Sequence, residues 1–355
     1  MAKQTSTAMA PGGQYDQNAR VQSSAAAFAR GPLRRAVEEA ALPAEAEPVV
    51  IADYGSATGK NSLAPLGLAI ETLRARTSQP VLVFHVDQPA NDFSALFSTL
   101  LTEPASYLLG QAGVHGCAVG RSFYEPVLPP GLVSVGWSAI AAHWLSRSPA
   151  ALPGHLWAPT ALAPGAELFA RQAREDWLCF VRLRAAELRP GGQMVVVLAT
   201  VDEEGLCGGE HVLDGLDRAL RQLVAARALS AEEYDRVVVP NFFLSAGELK
   251  APFAHPELRE RAVLLEQVRV IAPDPLWAAF EASGDATALA RGFAGWIRAF
   301  SQSCLLGALD PERPKDERRQ LTDAAYGEVE KEIRRHPEAA RSAWRMAALR
   351  FRRKP

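Results

Sequence analysis

The chain has 355 residues and a formal net charge of −2, and 48% of its residues are hydrophobic. This length and apolar content suit a globular protein with one large domain, or a core with a sizeable insertion. A charge this close to zero creates no overall basic field for nucleic acid. No apolar run reaches about eighteen residues, so no membrane span is expected. The first residues also lack the pattern of a signal peptide.

The four cysteines are far apart in the sequence and form no CxxC pair; they are Cys117, Cys179, Cys207 and Cys304. This spacing favours neither a zinc site nor a disulfide framework. It fits a reducing compartment, and we expect a cytoplasmic protein. The expected partner is a small molecule rather than nucleic acid or a membrane. A homodimer is compatible with the sequence.

A strand, an acidic turn and the start of a helix follow one another early in the chain. The apolar run Val49–Asp53 ends in an acid, and Gly55 and Gly59 follow it. This order suits a nucleotide-like cofactor at the carboxyl edge of a parallel sheet, and glycines without Cβ let a ligand approach the backbone. Neither GxGxxG nor GxxxxGK[ST] occurs, so a diphosphate is poorly supported. A cofactor with a ribose and a cationic tail fits better, and S-adenosyl-L-methionine (SAM) is the leading candidate. The alternative is a structural turn without a ligand.

A second apolar segment, Pro80–Asp87, is rich in β-branched residues and also ends in an acid. About thirty residues separate Asp53 from Asp87, the length of one βαβ unit, and Leu63–Arg76 between them has helical periodicity. Asp87 could accept hydrogen bonds from ribose hydroxyls. It could instead cap the following helix, but Asp92 is better placed for that role.

The middle of the chain continues the alternation of helices and strands. A helix is predicted for Asp16–Glu39, a third strand for Gly131–Ser138, a long helix for Glu167–Leu188 and a buried strand for Gln193–Ala199. This alternation predicts an α/β fold with a doubly wound, Rossmann-like core.

The pattern changes after residue 202 and becomes mainly helical, with one β-like interruption at Val237–Phe243. A helical segment inserted late in an α/β core usually covers the cofactor cleft, so we expect a helical substrate cap. Ala343–Arg352 is expected to return as a final strand beside the core. The predicted division is a core of residues 1–202 and 305–355, with residues 1–22 as an N-terminal lid segment, and a cap of residues 203–304.

Six segments carry a family resemblance when they are taken together. They are Tyr15-x-x-Asn18-x-x-x-Gln22, Ile51–Ser62 (IADYGSATGKNS), Asp87–Phe93 (DQPANDF), Gly120–Tyr124 (GRSFY), Ser138–Ser146 (SAIAAHWLS) and Arg184–Met194 (RAAELRPGGQM). In this order and with these gaps, the chain resembles the SABATH methyltransferases over nearly its whole length. These are SAM-dependent carboxyl methyltransferases of the salicylate, benzoate, jasmonate and indole-acetate type. Short N-terminal and loop segments resemble bacterial members more than plant members.

The resemblance implies a role for each matching residue at the cofactor. It places Tyr15, Asp53, Gly55 and Asn61 at the methionine end of SAM, Asn18 in contact with the cofactor, Asp87 at the ribose, and Gln88, Ser122 and Phe123 around the adenine. The product would be S-adenosyl-L-homocysteine (SAH).

The resemblance also implies that Gln22 and Trp144 hydrogen-bond the substrate carboxylate. A carboxylate with a pKa of about 4 is already ionised at pH 7, so in-line SN2 transfer needs positioning but no general base. Neutral amide and indole donors orient the anion without neutralising it. Without the resemblance, Trp144 would be read as a core aromatic residue and Gln22 as a solvated helix residue.

Other substrate-site residues implied by the resemblance are His143, Ile140 and Leu213. Ile140 replaces a tyrosine of the plant enzymes, and Leu213 lies near the position of an aromatic clamp. We therefore expect a more aliphatic pocket. Val238 stands where some relatives have the asparagine of a proposed Mg²⁺ site, so no metal is expected.

The main hypothesis is a carboxyl O-methyltransferase that produces a methyl ester from a small hydrophobic acid. One alternative is an N-methyltransferase acting on a purine-like ring. Another is a SAM-binding protein without catalytic activity. The presence of His143, Trp144 and Gln22 favours the carboxylate. The missing GxGxxG disfavours a nicotinamide dehydrogenase.

Overall fold

Seven strands form a single sheet in the computed structural model, which describes residues 27–152, 154–272 and 274–355. They are β1 Val49–Tyr54, β2 Val81–Asp87, β3 Val114–Gly120, β4 Val133–Ala139, β5 Leu188–Ala199, β6 Ala262–Ile271 and β7 Arg345–Arg353. Their order in the sheet is β3-β2-β1-β4-β5-β7-β6. Strands β1 to β5 are parallel to one another, and β7 runs antiparallel between β5 and β6.

The α-helices of the described residues flank this sheet or form a separate layer. They are α1 Arg30–Glu39, α2 Leu63–Arg74, α3 Phe93–Thr102, α4 Glu167–Glu187, α5 Asp214–Ala225, α6 Ala231–Arg236, α7 Ala246–Lys250, α8 Pro256–Arg259, α9 Pro275–Ser283, α10 Ala286–Ala308 and α11 Lys315–Arg335. Short 3₁₀ turns occupy Ala27–Ala29, Lys60–Ser62, Ala251–Ala254 and Pro337–Ala340.

The two faces of the sheet are buried in different apolar layers. Val49 and Ile51 of β1 pack in the cluster that contains residues of α1, α2 and α3. Val50 and Ala52, which point to the opposite face, pack with residues of α4. All six residues of β1 are buried, as expected for a central parallel strand covered on both faces. The prediction of a doubly wound α/β core is confirmed.

The strand order reverses between β1 and β4. From β1 the chain continues to β2 and β3 on one side, and it later returns to β4 and β5 on the other. The loops after β1 and β4 therefore leave the sheet in different directions and open a crevice at the carboxyl ends of the strands. This crevice is where an open α/β sheet binds its ligand.

Several predicted elements agree with the structure. The predicted long helix is α4, and the predicted final strand is β7. The helix predicted for Asp16–Glu39 is present as α1 in its described part, while residues 16–26 lie outside the described residues. Strand β5 begins at Leu188 rather than at Gln193, because Leu188 already pairs with Val133 of β4.

Three features differ from the predictions. Strand β3 was not predicted; its sequence VHGCAVG has two glycines and no clear alternation. Strand β6 lies within the range assigned to the helical cap, yet it joins the main sheet by antiparallel pairing with β7. Val237–Phe243 is not a strand, because only Asn241 makes an isolated bridge, with Trp144. The division into core and cap itself stays a prediction.

Capping residues fix several helix starts in the second half of the chain. Ser230 accepts a hydrogen bond from the backbone N–H of Glu233, and the Glu233 side chain accepts from Ser230 in return. Ser245 and Glu248 form the same reciprocal pair at the start of α7. Each pair satisfies backbone donors that a helix start would leave without partners.

Candidate functional site

The loops that follow four neighbouring strands meet at one edge of the sheet. The Gly55 N–H donates to the carbonyl of Val86 at 2.8 Å, which joins the turn after β1 to β2. The Ser138 hydroxyl donates to the carbonyl of Tyr54 at 2.7 Å, which joins β4 to the same turn. Strand β3 ends beside Asp87, since Gly120 pairs with it. The carboxyl ends of β1, β2, β3 and β4 therefore lie side by side at this edge of the sheet.

Gly55 has a φ of +89°, a conformation that residues with a Cβ rarely adopt. A Cβ at this position would lie 2.3 Å from Cβ of Ala141 and 3.6 Å from the ring of Phe123. At Gly59, a Cβ would lie 2.6 Å from Cδ1 of Leu96. Packing against Ala141 therefore requires a glycine at position 55, whereas at position 59 the contact is with the end of a leucine side chain and the positive φ of +82° favours glycine. The approach of a cofactor to Gly55 stays a prediction.

The carboxylate of Asp87 is half-buried at the end of β2 and accepts two backbone hydrogen bonds. Ala57 donates to Oδ2 at 2.7 Å, and Gln88 donates to Oδ1 at 2.7 Å. Burial nevertheless raises the pKa of Asp87 to about 6. Asp92, not Asp87, caps α3 by accepting from Ala95 at 2.9 Å, which confirms the prediction for Asp92.

The buried carboxylate of Asp53 belongs to a hydrogen-bonded chain that sequence reasoning missed. His85 Nδ1 lies 2.9 Å from Asp53 Oδ2, and His85 Nε2 lies 2.7 Å from the hydroxyl of Tyr107. All three side chains are buried. The one signal in the sequence was a histidine inside an apolar strand, in register with Asp53. This chain fixes the orientation of the Asp53 carboxylate.

The loop after β3 carries the residues predicted to frame an adenine. The half-buried ring of Phe123 lies 5.7 Å from the ring of Phe180 and 4.8 Å from that of Tyr124. The Ser122 hydroxyl accepts a hydrogen bond from the backbone N–H of Tyr124 at 3.2 Å. The predicted residues Asn61 and Gln88 are also half-buried and lie in the turns after β1 and β2.

Trp144 lies in the loop after β4 and is buried. The hydroxyl of Tyr124 donates to its carbonyl at 2.5 Å, and Asn241 makes a backbone bridge with it. Phe300 of α10 places its ring 6.4 Å from the indole, at an interplanar angle of 60°. Helix α10 therefore contacts the residue that is predicted to bind a carboxylate.

His143 is buried beside Trp144, and its Nδ1 atom has no hydrogen-bond partner among the described residues. Burial lowers the pKa of His143 to about 3, so the imidazole is neutral at physiological pH. A cavity of about 10 Å³ lies next to it, with Tyr124 and Asp176 also in its lining.

Two other predicted substrate residues have different surroundings. Ile140 is half-buried and has a φ of +56°, which is strained for a β-branched residue. Its N–H donates to Val197 at 2.8 Å. Leu213 is fully buried at the start of α5. The roles of both in substrate binding stay predictions. Tyr15, Asn18 and Gln22 lie outside the described residues.

No group of three or more His, Cys, Asp or Glu side chains in residues 27–152, 154–272 and 274–355 could hold a metal ion. Within those same ranges, no helix is long and apolar enough to cross a bilayer.

The chemistry of the crevice fits a nucleoside cofactor without phosphates. Carboxylates stand at the ends of β1 and β2, where Asp87 can accept hydrogen bonds from hydroxyls once it is ionised. Two acids would repel a diphosphate. The ring of Phe123 next to Gly55 offers an apolar surface for a base. The fold and the crevice define an α/β protein of the SAM-dependent methyltransferase class.

Comparison with protein families identifies the group within this class. The family described as SAM dependent carboxyl methyltransferase matches residues 5–301. The chain therefore belongs to the SAM-dependent carboxyl methyltransferases, the family that contains the SABATH enzymes. The resemblance found in the sequence is confirmed, and so is SAM as the cofactor.

Individual relatives agree with this assignment. Methyltransferase FUS9 of Gibberella moniliformis is 30% identical over 242 residues, which cover 67% of this chain and 64% of that protein. Gibberellic acid methyltransferase 2 of Arabidopsis thaliana is 30% identical over 267 residues, which cover 67% of each. The chain thus matches about two thirds of the length of these relatives. A solved structure of loganic acid methyltransferase with SAH has a TM-score of 0.79 at 20% identity, covers 99% of both chains and shows the same fold.

Proposed function

We propose that this protein transfers the methyl group of SAM to the carboxylate of a small hydrophobic carboxylic acid and releases a methyl ester. The observation that carries this proposal is the position of Trp144. Its indole is buried at the crevice edge, against Phe300 of the cap, in a chain of the carboxyl methyltransferase family. One relative named for gibberellic acid and one structural neighbour named for loganic acid support a carboxylic acid acceptor.

The residues at the carboxyl edge of the sheet would hold the cofactor. When bound, SAM supplies an electrophilic methyl group on a sulfonium. Asp87 would accept hydrogen bonds from the ribose hydroxyls, and Gln88, Ser122 and Phe123 would surround the adenine. Asp53, Gly55 and Asn61 would hold the methionine end. The hydrogen bond from His85 keeps the Asp53 carboxylate oriented for this task.

The reaction would depend on positioning rather than on proton transfer. A carboxylate is ionised at pH 7 and can act as a nucleophile without a base. The indole N–H of Trp144 and the amide of Gln22 would orient it, and Gln22 is assigned from the sequence resemblance alone. The imidazole of His143 is neutral at this pH, so it leaves the charge of the nucleophile intact. Alignment of the reacting atoms would then supply most of the rate.

Aromatic rings from the cap would shape the rest of the pocket. Trp296 lies 5.4 Å from Phe300, which in turn contacts Trp144. Ile140 and Leu213 are expected to make the pocket aliphatic, and the rings of His143 and Phe300 lie beside Trp144, with centroids 6.3 and 6.4 Å from its own. A flat or cyclic hydrophobic body is therefore a better match for this wall than a polar one.

The proposal is tested by incubating the full-length protein with SAM and two pools of acceptors, one of small hydrophobic carboxylic acids and one of purine-type heterocycles. Mass spectrometry of the products should detect methyl esters from the first pool. Methylation at a ring nitrogen in the second pool would assign the protein to the N-methyltransferases instead. Binding of SAH without product from either pool would favour a protein that binds the cofactor but does not catalyse transfer.

A further inference from the structure

Helix α4 ends with two charged side chains that are almost completely buried. Arg184 is 1% exposed and Glu187 is 3% exposed. Both belong to the RAAEL segment of the sequence, for which neither composition nor resemblance gave a function. They point at the loop of residues 121–128, which connects β3 to the segment before β4.

Arg184 binds this loop through backbone carbonyls. Its Nη1 donates to the carbonyl of Phe123 at 2.8 Å, and its Nη2 donates to that of Glu125 at 3.0 Å. The same Nη2 donates to Glu187 Oε1 at 2.8 Å. A planar guanidinium can serve three acceptors at fixed angles, which a lysine ammonium cannot reproduce.

Glu187 binds the other end of the same loop through backbone amides. Its Oε1 accepts from Val127 at 2.8 Å and from Leu128 at 3.1 Å. Its Oε2 accepts from the hydroxyl of Tyr54 at 2.7 Å. The guanidinium carbon of Arg184 lies 4.4 Å from the centre of the Tyr54 ring, so the cation also packs on this ring.

Tyr54 connects the pair to the first cofactor turn. It is the last residue of β1, and Gly55 follows it directly. Its carbonyl accepts the hydroxyl of Ser138 from β4. One ion pair therefore contacts both the strand end before the glycine turn and the loop that carries Phe123.

Energetics argue that stability alone does not explain the pair. A buried ion pair loses the solvation of two charges, and replacing both partners by apolar residues of similar volume is often neutral or stabilising. A single replacement is costly because it leaves one charge buried without a partner. A pair that holds four backbone groups of one loop is better explained by the position that it imposes on that loop.

We propose that Arg184 and Glu187 are positioning residues that fix the loop of residues 121–128 against the turn after β1, and so set where the ring of Phe123 stands at the adenine site. This inference rests on the proposed function. It predicts that a variant without both charged side chains can still fold but binds the cofactor more weakly.

The test uses the double variant Arg184→Met/Glu187→Met, which removes both charges and keeps unbranched side chains. Calorimetry measures the Kd for SAH, hydrogen exchange follows the amides of Val127 and Leu128, and thermal unfolding gives Tm. Arg182→Met is the matched control, because Arg182 lies on the same helix with a half-exposed side chain. The control should match the wild type in all three measurements.

A folded double variant should bind SAH with a Kd that is about tenfold higher, and its Val127 and Leu128 amides should exchange faster. A folded double variant with a wild-type Kd would overturn the inference and leave the proposed function intact. If the double variant does not fold, the Kd of Arg184→Lys for SAH is compared with that of the wild type instead. Arg184→Lys keeps the positive charge but loses the planar guanidinium that serves several acceptors at once. Wild-type protein that fails to bind SAH would remove the proposed function, and the inference with it.

Discussion

The hydroxyl of Tyr124 donates a hydrogen bond to the carbonyl of Trp144 at 2.5 Å. Tyr124 follows Phe123, so the loop predicted to frame the adenine also holds the backbone of the residue predicted to bind the carboxylate. Burial raises the pKa of Tyr124 well above its ordinary value, so the phenol stays protonated and remains a donor. The side chain of Tyr124 thereby joins the predicted cofactor site to the predicted acceptor site.

Replacing Tyr124 by phenylalanine should weaken binding of the acid and leave binding of the cofactor unchanged. The ring stays and the hydrogen bond to Trp144 is lost, which removes about 1 kcal/mol of net interaction. We expect KM for the acid to rise roughly fivefold, with the Kd for SAH unchanged. Tyr234→Phe is the control, since it removes a hydroxyl that is hydrogen-bonded to Asp217 of α5. A rise in the Kd for SAH without a change in KM would contradict the coupling to Trp144.

Gly55→Ala tests whether close packing against Ala141 determines the conformation of the turn after β1. The new Cβ would lie 2.3 Å from Cβ of Ala141, and the φ of +89° would be strained as well. We expect a loss of SAH affinity together with a lower free energy of unfolding, measured by calorimetry and urea titration.

The double variant Gly55→Ala/Ala141→Gly relieves the clash but keeps the backbone strain of about 1–2 kcal/mol. It should therefore recover part of the stability that Gly55→Ala loses. No recovery at all would show that the close contact with Ala141 is not what requires the glycine.

The raised pKa of Asp87 predicts a pH dependence for cofactor binding. In the proposed site, ribose hydroxyls donate to the ionised Asp87 carboxylate, and this ionised form is lost as pH falls through about 6. The affinity for SAH should decrease roughly tenfold from pH 7.5 to pH 5, following the ionised fraction. Asp87→Asn should bind more weakly and show a flat profile over this range. A wild-type profile as flat as that of the variant would remove Asp87 from the site.

The same shift has the opposite consequence for the stability of the protein without ligand. The folded pKa of about 6 lies above the ordinary value of 3.8, so between these values the folded state binds more protons than the unfolded state. The contribution of Asp87 to stability therefore falls as pH rises from 3.8 to about 6 and is constant above. Urea unfolding of wild type and Asp87→Asn at several pH values should show this difference.

The sequence predicted the parts of the fold that depend on local pattern. The apolar runs before Asp53 and Asp87 became β1 and β2, because buried parallel strands need continuous apolar residues. Strand β3 has weak propensity and is stabilised by pairing with β2, so a local pattern could not predict it. The pairing of β6 with β7 joins segments far apart in the chain, so a local pattern could not predict it either.

The candidate site shows a similar division. The segments of the crevice could be named from motifs, but their contacts could not. The chain from Asp53 through His85 to Tyr107 depends on strand register, and the packing of Ala141 on Gly55 depends on a loop conformation. The function of Arg184 required three-dimensional contacts, since its backbone acceptors carry no signal in the sequence.

The assignment of Trp144 is tested by Trp144→Phe, which keeps an aromatic ring beside Phe300 and removes the indole N–H. If that donor orients the acid, the variant loses a hydrogen bond to a charged group, worth about 1.5–3 kcal/mol. We expect kcat/KM to fall by roughly tenfold to a hundredfold, with the Kd for SAH within about twofold of wild type.

Trp277→Phe serves as the control for this change, because the Trp277 indole donates to Glu281 within α9, away from the crevice. Its kinetics should match those of the wild type. Near-normal turnover of Trp144→Phe would mean that the indole only packs against Phe300 and His143, and that another donor holds the carboxylate. A fall in turnover with no change in KM would instead place the hydrogen bond in the transition state alone, because only an interaction absent from the bound acid affects kcat without affecting KM.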